Sequence, residues 1–443
     1  MNRPSTPARR LAACSAGLAT ALAAPFALAQ TPPTQLWVDV STSTFAGMPE
    51  FMQSGSGFLG GLMGKVTGSS AALQQYGHAS GRFIQQGTDQ NRMGGGMPPT
   101  RVVDVALLNP RRPGVEAALA IPPGMRMGEA LPLVPPNPGF REAGDAEAGK
   151  PPEIKGRILV YWGCSPTVRP GQPRIANLGG DPAKWAQVLA GRHAPERAAR
   201  VGAQHALYPN EKNQVNPSAD SSLQGEHRVQ GEGVPESMGF TLGPGQDLMP
   251  SIQLQSQGAV TDSIQLSWQP VERAHAYHLH AMGMVGDDMV LWSSSEIADA
   301  GLGLFDYLGE STTAKWVRDK LLLPASAAEC AVPKGIFAGD GAGRPGEAGA
   351  AMLRMIAYGP ESHFSHPARP AKPPAGWKPE WTVRVRTKSQ TMAMLGVDMA
   401  GMAAGQRAPG GNASEGEGDE SASQRPEPQA PGAINILRGL FGR

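Results

Sequence analysis

The chain has 443 residues, with 39 basic against 38 acidic side chains and a formal net charge of +1. A balance so even sets up no long-range field for phosphate, which argues against nucleic acid as a partner. The 57 glycines and 42 prolines interrupt the chain too often for long helices and favour short strands joined by turns.

The N-terminus carries Arg3, Arg9 and Arg10 without an acid, then an Ala/Leu-rich run from Leu11 to Ala24, a break at Pro25, and Ala27-Leu28-Ala29. This is the layout of a secretory signal peptide over residues 1–29, with cleavage expected between Ala29 and Gln30 and a periplasmic or secreted destination. The apolar run falls short of the roughly 20 residues that a permanent span needs. Arg9-Arg10 leaves the twin-arginine route open beside the general secretory one. Leu11-Ala12-Ala13-Cys14 resembles a lipoprotein cleavage box, but here the apolar run follows Cys14 instead of preceding it. No later stretch reaches spanning length without charge or proline, so no transmembrane span is expected in the mature chain. The remaining ~410 residues suit two domains by length. We place an N-terminal β-rich domain at 30–195 and a C-terminal β-sandwich-like domain at 196–402, followed by a tail at 403–443.

Removing the signal leaves Cys164 and Cys330. An even pair in an oxidising compartment predicts a Cys164–Cys330 disulfide, the alternative being two separately buried thiols.

In chain order, Leu36, Val38 and Val40 alternate with Trp37 and Asp39, which reads as a strand over 35–41. Residues 53–70 form a Gly-rich segment with Gly60, Gly64 and Gly68 four apart, which reads as a loop or a helix-pairing ridge. It is not a phosphate-binding loop, because Val66 follows Gly64-Lys65 where Ser or Thr is required. A clear strand covers 101–108. Arg157-Ile158-Leu159-Val160-Tyr161-Trp162 is a continuous apolar run that suits a strand inside a sheet. Asp181 as N-cap and Pro182 at the first helical position open a short helix to about Ala190. Residues 195–250 are polar and read as a seam or long loops, with strand candidates at 225–229 and 239–242.

From residue 262 the alternation sharpens. Ile264, Leu266 and Trp268 are followed by Pro270, then Ala274 to Met282 with Tyr277 and Leu279 on one face, then Val290-Leu291-Trp292. Over about 35 residues this pattern resembles the early strands of a fibronectin type III-like sandwich, which implies two packed antiparallel sheets and no particular activity. Segment 303–323 reads as more helical, and further strands are predicted at 351–357 and 381–388. In the last of these Trp381, Val383 and Val385 face one way and Thr382, Arg384 and Arg386 the other. The Gly/Met-rich N-terminal segments together with Tyr161-Trp162-Gly163-Cys164 also resemble an uncharacterised proteobacterial exported family, a resemblance that implies no activity. Residues 403–432 hold almost no large apolar side chain and are expected to be disordered. The final residues 433–443, with Ile434, Ile436, Leu437, Leu440 and Phe441 beside Arg438 and Arg443, form an apolar, basic tip suited to a partner or a membrane surface.

The candidate chemistry centres on His278, His280, Met282 and Met284, which period-two geometry puts on one strand face. Imidazole with thioether suits copper, so His278, His280 and Met282 are the candidate metal ligands. Met392, Met394, Met399 and Met402 add thioethers near the end of the folded region. The alternative is an outward histidine pair with methionine serving as filler. His363-x-x-His366 is a second pair, in what reads as a Pro-flanked loop. No nucleophile elbow and no His-Glu-x-x-His helix is present, and isolated acids such as Glu232 and Asp340 read as loop residues.

The sequence therefore predicts a mainly β protein of antiparallel sandwich domains with a few short helices and a disordered C-terminal tail. It would be an exported, non-catalytic binding or scaffolding protein of the bacterial envelope, docking on an envelope protein or a membrane surface through its tip. The alternatives are a periplasmic copper-binding protein and an envelope-polymer hydrolase without a recognisable motif.

Overall fold

A computed structural model describes residues 32–46, 84–85, 101–136, 141–142, 156–180, 182–195, 197–338 and 351–396. The predicted signal peptide, the Gly-rich segment 53–70, the N-cap Asp181, Asp340, Met399, Met402, and the tail with its tip lie outside these residues. The protein is mainly β, as its turn-rich composition predicts, with two short α-helices among the described residues.

The largest sheet runs in the order β8 (Arg174–Asn177), β7 (Arg157–Trp162), β15 (Asp288–Ser293), β14 (Ala276–Val285), β18 (Ala351–His366), β19 (Trp381–Leu395), β1 (Thr34–Phe45), β3 (Arg101–Leu108) and β9 (His205–Tyr208). A short strand, β16 (Leu323–Pro324), pairs the start of β14. Two seams are parallel, β1 with β19 and β7 with β15, and the remaining pairs are antiparallel. The sheet draws strands from both sides of residue 195.

Two smaller sheets cover one face of the large one. The four-stranded sheet β11 (Gly239–Leu242), β10 (Gly225–Gly231), β4 (Ala117–Ala120), β5 (Ala130–Leu133) packs over β1, β3, β9 and the first part of β19. Leu36, Val38, Val105, Leu119, Leu131, Phe240 and Val383 meet in that core. An isolated bridge, Val134 to Leu207, joins the end of β5 to β9. The three-stranded sheet β12 (Leu254–Gln257), β13 (Ile264–Trp268), β17 (Glu329–Val332) packs over β14, β15 and the first part of β18. Burying each large side chain of these cores stabilises by roughly 1.5–3 kcal/mol. Trp268 meets Tyr277 edge to face at 5.5 Å, and the Val271 N–H donates to the Tyr277 hydroxyl oxygen at 2.9 Å. A two-stranded ribbon, β2 (Ile84–Gln85) with β6 (Arg141–Glu142), completes the strands.

β18 serves both cores through a shift in its register. Its register with β19 shifts between Tyr358 and Glu361, where Gly359-Pro360 lies. A proline is tolerated at such a bulge, where the ladder needs no donor. A Cβ on Gly359 would sit 2.3 Å from Met249 Sδ and 2.7 Å from the Thr387 carbonyl oxygen. Before the bulge Leu353, Met355 and Ala357 enter one core, and after it Phe364 packs against the other.

The predicted disulfide is present, Cys164 to Cys330 with an S–S distance of 2.04 Å. At the end of β7 the chain leaves the large sheet at Gly163-Cys164 for the edge of β17. The Ser165 N–H donates to the Ala331 carbonyl at 3.0 Å, and the Lys334 N–H donates to the Pro166 carbonyl at 3.0 Å. The bridge thus ties the large sheet to the three-stranded one.

The helices are α1 (Pro182–Val188) and α2 (Glu310–Arg318). α2 falls inside the segment predicted to be helical and buries Thr313 and Trp316. Its acid, Glu310, lies in the first turn and its cations, Lys315 and Arg318, in the last, each at the end the helix dipole favours. No helix among the described residues is long and apolar enough to cross a membrane.

Candidate functional site

The second face of the large sheet is buried as well, and between apolar clusters at β7, β15, β14 and β18 on one side and β9 on the other it carries a polar stretch. Period-two alternation puts Arg384, Arg386, Lys388 and Gln390 of β19 on this side, with Asp39 and Ser41 of β1 and Asp104 of β3. Arg386 and Lys388 are each only 1% exposed, and Asp39 and Asp104 2%. Registers place Asp39 opposite both Arg386 and Asp104, and Ser41 opposite Lys388.

The centre is a bidentate ion pair. Arg386 Nε donates to Asp39 Oδ1 at 2.7 Å and Nη2 to Oδ2 at 2.5 Å. Arg384 Nη2 lies 3.8 Å from Asp39 Oδ1, and its Nη1 donates to the Arg197 carbonyl. Burial alone would raise the Asp39 pKa, but the adjacent Arg386 guanidinium, helped by Arg384 and Lys388, holds it below the usual 3.8. Burial alone would lower the Arg386 pKa, and Asp39 raises it above the ordinary arginine value. Lys388 differs, since no carboxylate lies within ion-pair distance of it among the described residues. Its Nζ donates to the Phe305 carbonyl at 3.2 Å, and burial pulls its pKa down to about 7.

A segment between β15 and α2 roofs this layer. The Tyr307 ring centroid lies 4.4 Å from Arg386 Cζ and 4.5 Å from Lys388 Nζ. Arg354 of β18, half-buried, stacks over the Phe305 ring at 4.2 Å and donates to Gln390 Oε1 at 2.7 Å. Such cation–π contacts contribute about 0.5–2 kcal/mol each, the more where water is excluded. The Tyr358 hydroxyl donates to the Leu304 carbonyl. At the rim Glu361, its side chain buried, accepts from Arg197 at 2.9 Å and meets His363 Nε2 at 2.6 Å.

The predicted histidine–methionine face lies beside this layer. His278, His280, Met282 and Met284 share one face of β14, but the imidazoles do not point outward to water: His278 is 0% exposed and His280 6%. Their rings pack on Phe305 at 5.3 and 6.0 Å. His278 Nε2 lies 3.1 Å from the Gly301 carbonyl, so that nitrogen carries the hydrogen, while Nδ1 has no hydrogen-bond partner. His280 is hydrogen-bonded to the Ala300 backbone, and its Nε2 has no partner. Burial lowers their pKa values to about 3 and about 4, so both rings are neutral at pH 7. Met282 packs against the core of Ile158, Val160 and Leu291, and Met284 is 44% exposed. No group of three or more His, Cys, Asp or Glu side chains is arranged to hold a metal among the described residues.

The second histidine pair is not in a loop. β18 continues to His366, and three residues along a strand put the two rings on opposite faces. His363 contacts Glu361, and His366 stacks on Trp381 at 6.1 Å, so the two cannot share an ion. Glu232 is an exposed partner of Arg112 at 2.7 Å, as expected of a loop acid.

A serine, a histidine and an aspartate also converge at Ser293, His278 and Asp299. Their hydrogen bonds run to the backbone: Ser293 Oγ donates to the Asp299 carbonyl at 2.9 Å, and Asp299 Oδ1 accepts from the Gly301 N–H at 2.8 Å. No hydrogen bond links the three side chains to one another, so this cluster is not a proton relay. Asp39 and Asp104 lie side by side on one sheet face, and Asp39 is bound to Arg386, which differs from two carboxyls facing each other across a cleft.

The sequence did carry a signal for the charged layer. Asp39 and Asp104 interrupt two Val-rich strands, and β19 carries Arg384, Arg386 and Lys388 at alternate positions. The alternation by itself does not show that this second face is covered. Comparison with protein-family models, with curated proteins and with solved structures finds no match.

Proposed function

We propose that this chain is an exported, non-catalytic binding or scaffolding protein of the bacterial cell envelope. The observation that carries the reading is the Cys164–Cys330 bridge between two sheets, in a chain that opens with Arg3, Arg9, Arg10 and an Ala/Leu run. Disulfides persist in oxidising compartments, and a signal peptide delivers a chain to one. The commitment of the Asp39–Arg386 pair to a structural ion layer also supports a role other than catalysis. The apolar, basic tip at 433–443 is the segment we assign to docking on an envelope protein or membrane surface.

The test is expression in a Gram-negative host, followed by fractionation, N-terminal sequencing and thiol alkylation. The reading expects Gln30 as the first residue, an envelope or periplasmic fraction, and no reactive thiol. Intact Met1 in the cytosol with both cysteines alkylated overturns it. Removing residues 433–443 is expected to release the protein from membranes, and unchanged fractionation removes the docking assignment.

One observation favours a second reading, copper binding. His278 Nδ1 and His280 Nε2 are neutral, buried and without hydrogen-bond partners. Against it, Arg354 adds repulsion to the burial that already disfavours positive charge on His280. Titration with Cu(I) and Cu(II) beside a His278→Ala/His280→Ala variant decides it: equal weak binding by both ends that reading.

A further inference from the structure

The roof over Lys388 is a short strap with glycine at both ends. Gly303 is held by Arg192–Ala194, through a bridge with His193 and an Ala194 N–H bond of 2.8 Å to the Gly303 carbonyl. At the other end the Gly309 carbonyl accepts from the Thr313 N–H at 3.0 Å and anchors α2. Between them, residues 304–308 make no backbone–backbone hydrogen bond with any described residue. Their attachments to the sheet are side-chain packing and two hydrogen bonds from side chains, from the Tyr358 hydroxyl to the Leu304 carbonyl and from Lys388 Nζ to the Phe305 carbonyl. Leu304 and Leu308 pack beside Ile356 and Tyr358, Phe305 lies on Arg354, and Tyr307 lies on Arg386 and Lys388. A segment held that way opens more readily than one in a ladder.

We propose that residues 304–308 are a proton-operated cover, shut over Lys388 when its amine is neutral and driven open when it is charged. Among the described residues the ammonium under the strap has the Phe305 carbonyl as its one hydrogen-bond acceptor, with the Tyr307 ring face beside it. Every packing element contributes a charged or titratable neighbour. β1 brings Asp39 and β3 brings Asp104; β18 brings Arg354 and Tyr358; β19 brings Arg386; the strap brings Asp306 and Tyr307. Burial is the largest influence on Lys388. Arg354 and Arg386 repel its charge, while Asp306 and Asp39 attract it without entering ion-pair distance. Lifting the strap gives the ammonium water. It uncovers Arg354, Arg386 and Lys388 together, a surface suited to carboxylate or phosphate groups.

The sign follows from linkage. A lysine whose pKa is about 7 when covered and 10.5 when solvated binds its proton more tightly in the open state. Acid therefore favours opening, and the opening constant rises by about tenfold between pH 8 and pH 6 before levelling off. Hydrogen exchange on the full chain, expressed as protection factors for peptides covering 302–309, reads this directly. Wild type is expected to lose about tenfold protection in the strap from pH 8 to pH 6. Strands β3 and β13 should stay unchanged, and Lys388→Met should show no such pH dependence. An equal pH response in Lys388→Met, or none in wild type, overturns the proposal. Should that variant fail to fold, 13Cε-lysine NMR of the wild type decides between the same two outcomes. A buried lysine titrating near 7 supports the cover, and one titrating above 9 refutes it.

Discussion

Asp39→Asn separates the buried ion pair from ordinary polar packing. The substitution keeps the shape but leaves the Arg386 guanidinium at 1% exposure, with Arg384 as a like-charged neighbour. Removing one partner of a buried pair costs about 3–5 kcal/mol, because the remaining charge is uncompensated. Arg386 cannot escape by losing its proton at accessible pH, so the full cost should appear. Arg386→Met strands an aspartate instead, which can neutralise itself by protonation. Its penalty should shrink in acid. The linkage has the same sign: Asp39 is depressed below 3.8, so its contribution is full above that pH and is lost as pH falls through the folded value. Urea denaturation followed by tryptophan fluorescence, at pH 7 and pH 4.5, measures all three variants, including the double Asp39→Leu/Arg386→Met. The double variant should be closer to wild type than either single one, since apolar groups of similar volume replace such pairs at little cost. If Asp39→Asn costs less than about 1 kcal/mol, comparable to an exposed pair, water reaches the Asp39–Arg386 pair and the layer is not a dry one.

Three further outcomes follow. Converting Cys164 and Cys330 to alanine together should cost about 2–5 kcal/mol and abolish any effect of dithiothreitol on the urea midpoint; a dithiothreitol effect that persists in the variant refutes this. His227, 3% exposed and stacked on Phe240 at 5.0 Å, has its pKa lowered by burial to about 4, so stability should fall as pH drops from 6.5 toward 4. The slope contributed by one such group is at most about 1.4 kcal/mol per pH unit, and His227→Phe should flatten it. Gly156 has φ +104 and faces the Asp287 carbonyl oxygen, which a Cβ would approach to 1.9 Å, so Gly156→Ala should displace the start of β7 and lower the thermal midpoint. An unchanged midpoint would show that the Asp287 turn yields freely.

Where each strand buries alternating large side chains, the sequence pattern and the fold coincide. β1, β3, β10, β11 and β13 sit where Leu36, Val105, Val229, Phe240 and Leu266 signal them. Four-residue strands such as Ala117–Ala120 and His205–Tyr208 carry too few periods to stand out from turns, and they are held by their neighbours more than by their own pattern. Residues 195–250, read as a seam or long loops with strand candidates at 225–229 and 239–242, also supply β9, which the sequence reading did not single out. Pairing partners were invisible too. β1 lies parallel to β19 from Thr34 opposite Trp381 to Phe45 opposite Met392, and nothing local to either strand encodes a partner so distant.

The candidate site escaped the sequence for a different reason. Alternation says that a strand has two unlike faces, but it does not say that the polar face is wet. Along β19 the rule was obeyed: Val383 and Val385 entered the core, and Arg384 and Arg386 took the opposite side. What changed their environment was a segment of irregular backbone carrying Phe305 and Tyr307, whose positions in the chain have no periodicity to read. Aromatic rings can cover cations without hydrogen-bonding to them, so the covering segment needs neither acids nor strand pattern. The clue that survives at sequence level is compensation: Asp39 and Asp104 inside Val-rich strands require buried cations, and β19 is a strand that supplies three in register. A charge set inside an otherwise apolar strand therefore locates a buried ionic layer before its partners are known, because an isolated buried carboxylate would be too costly to keep.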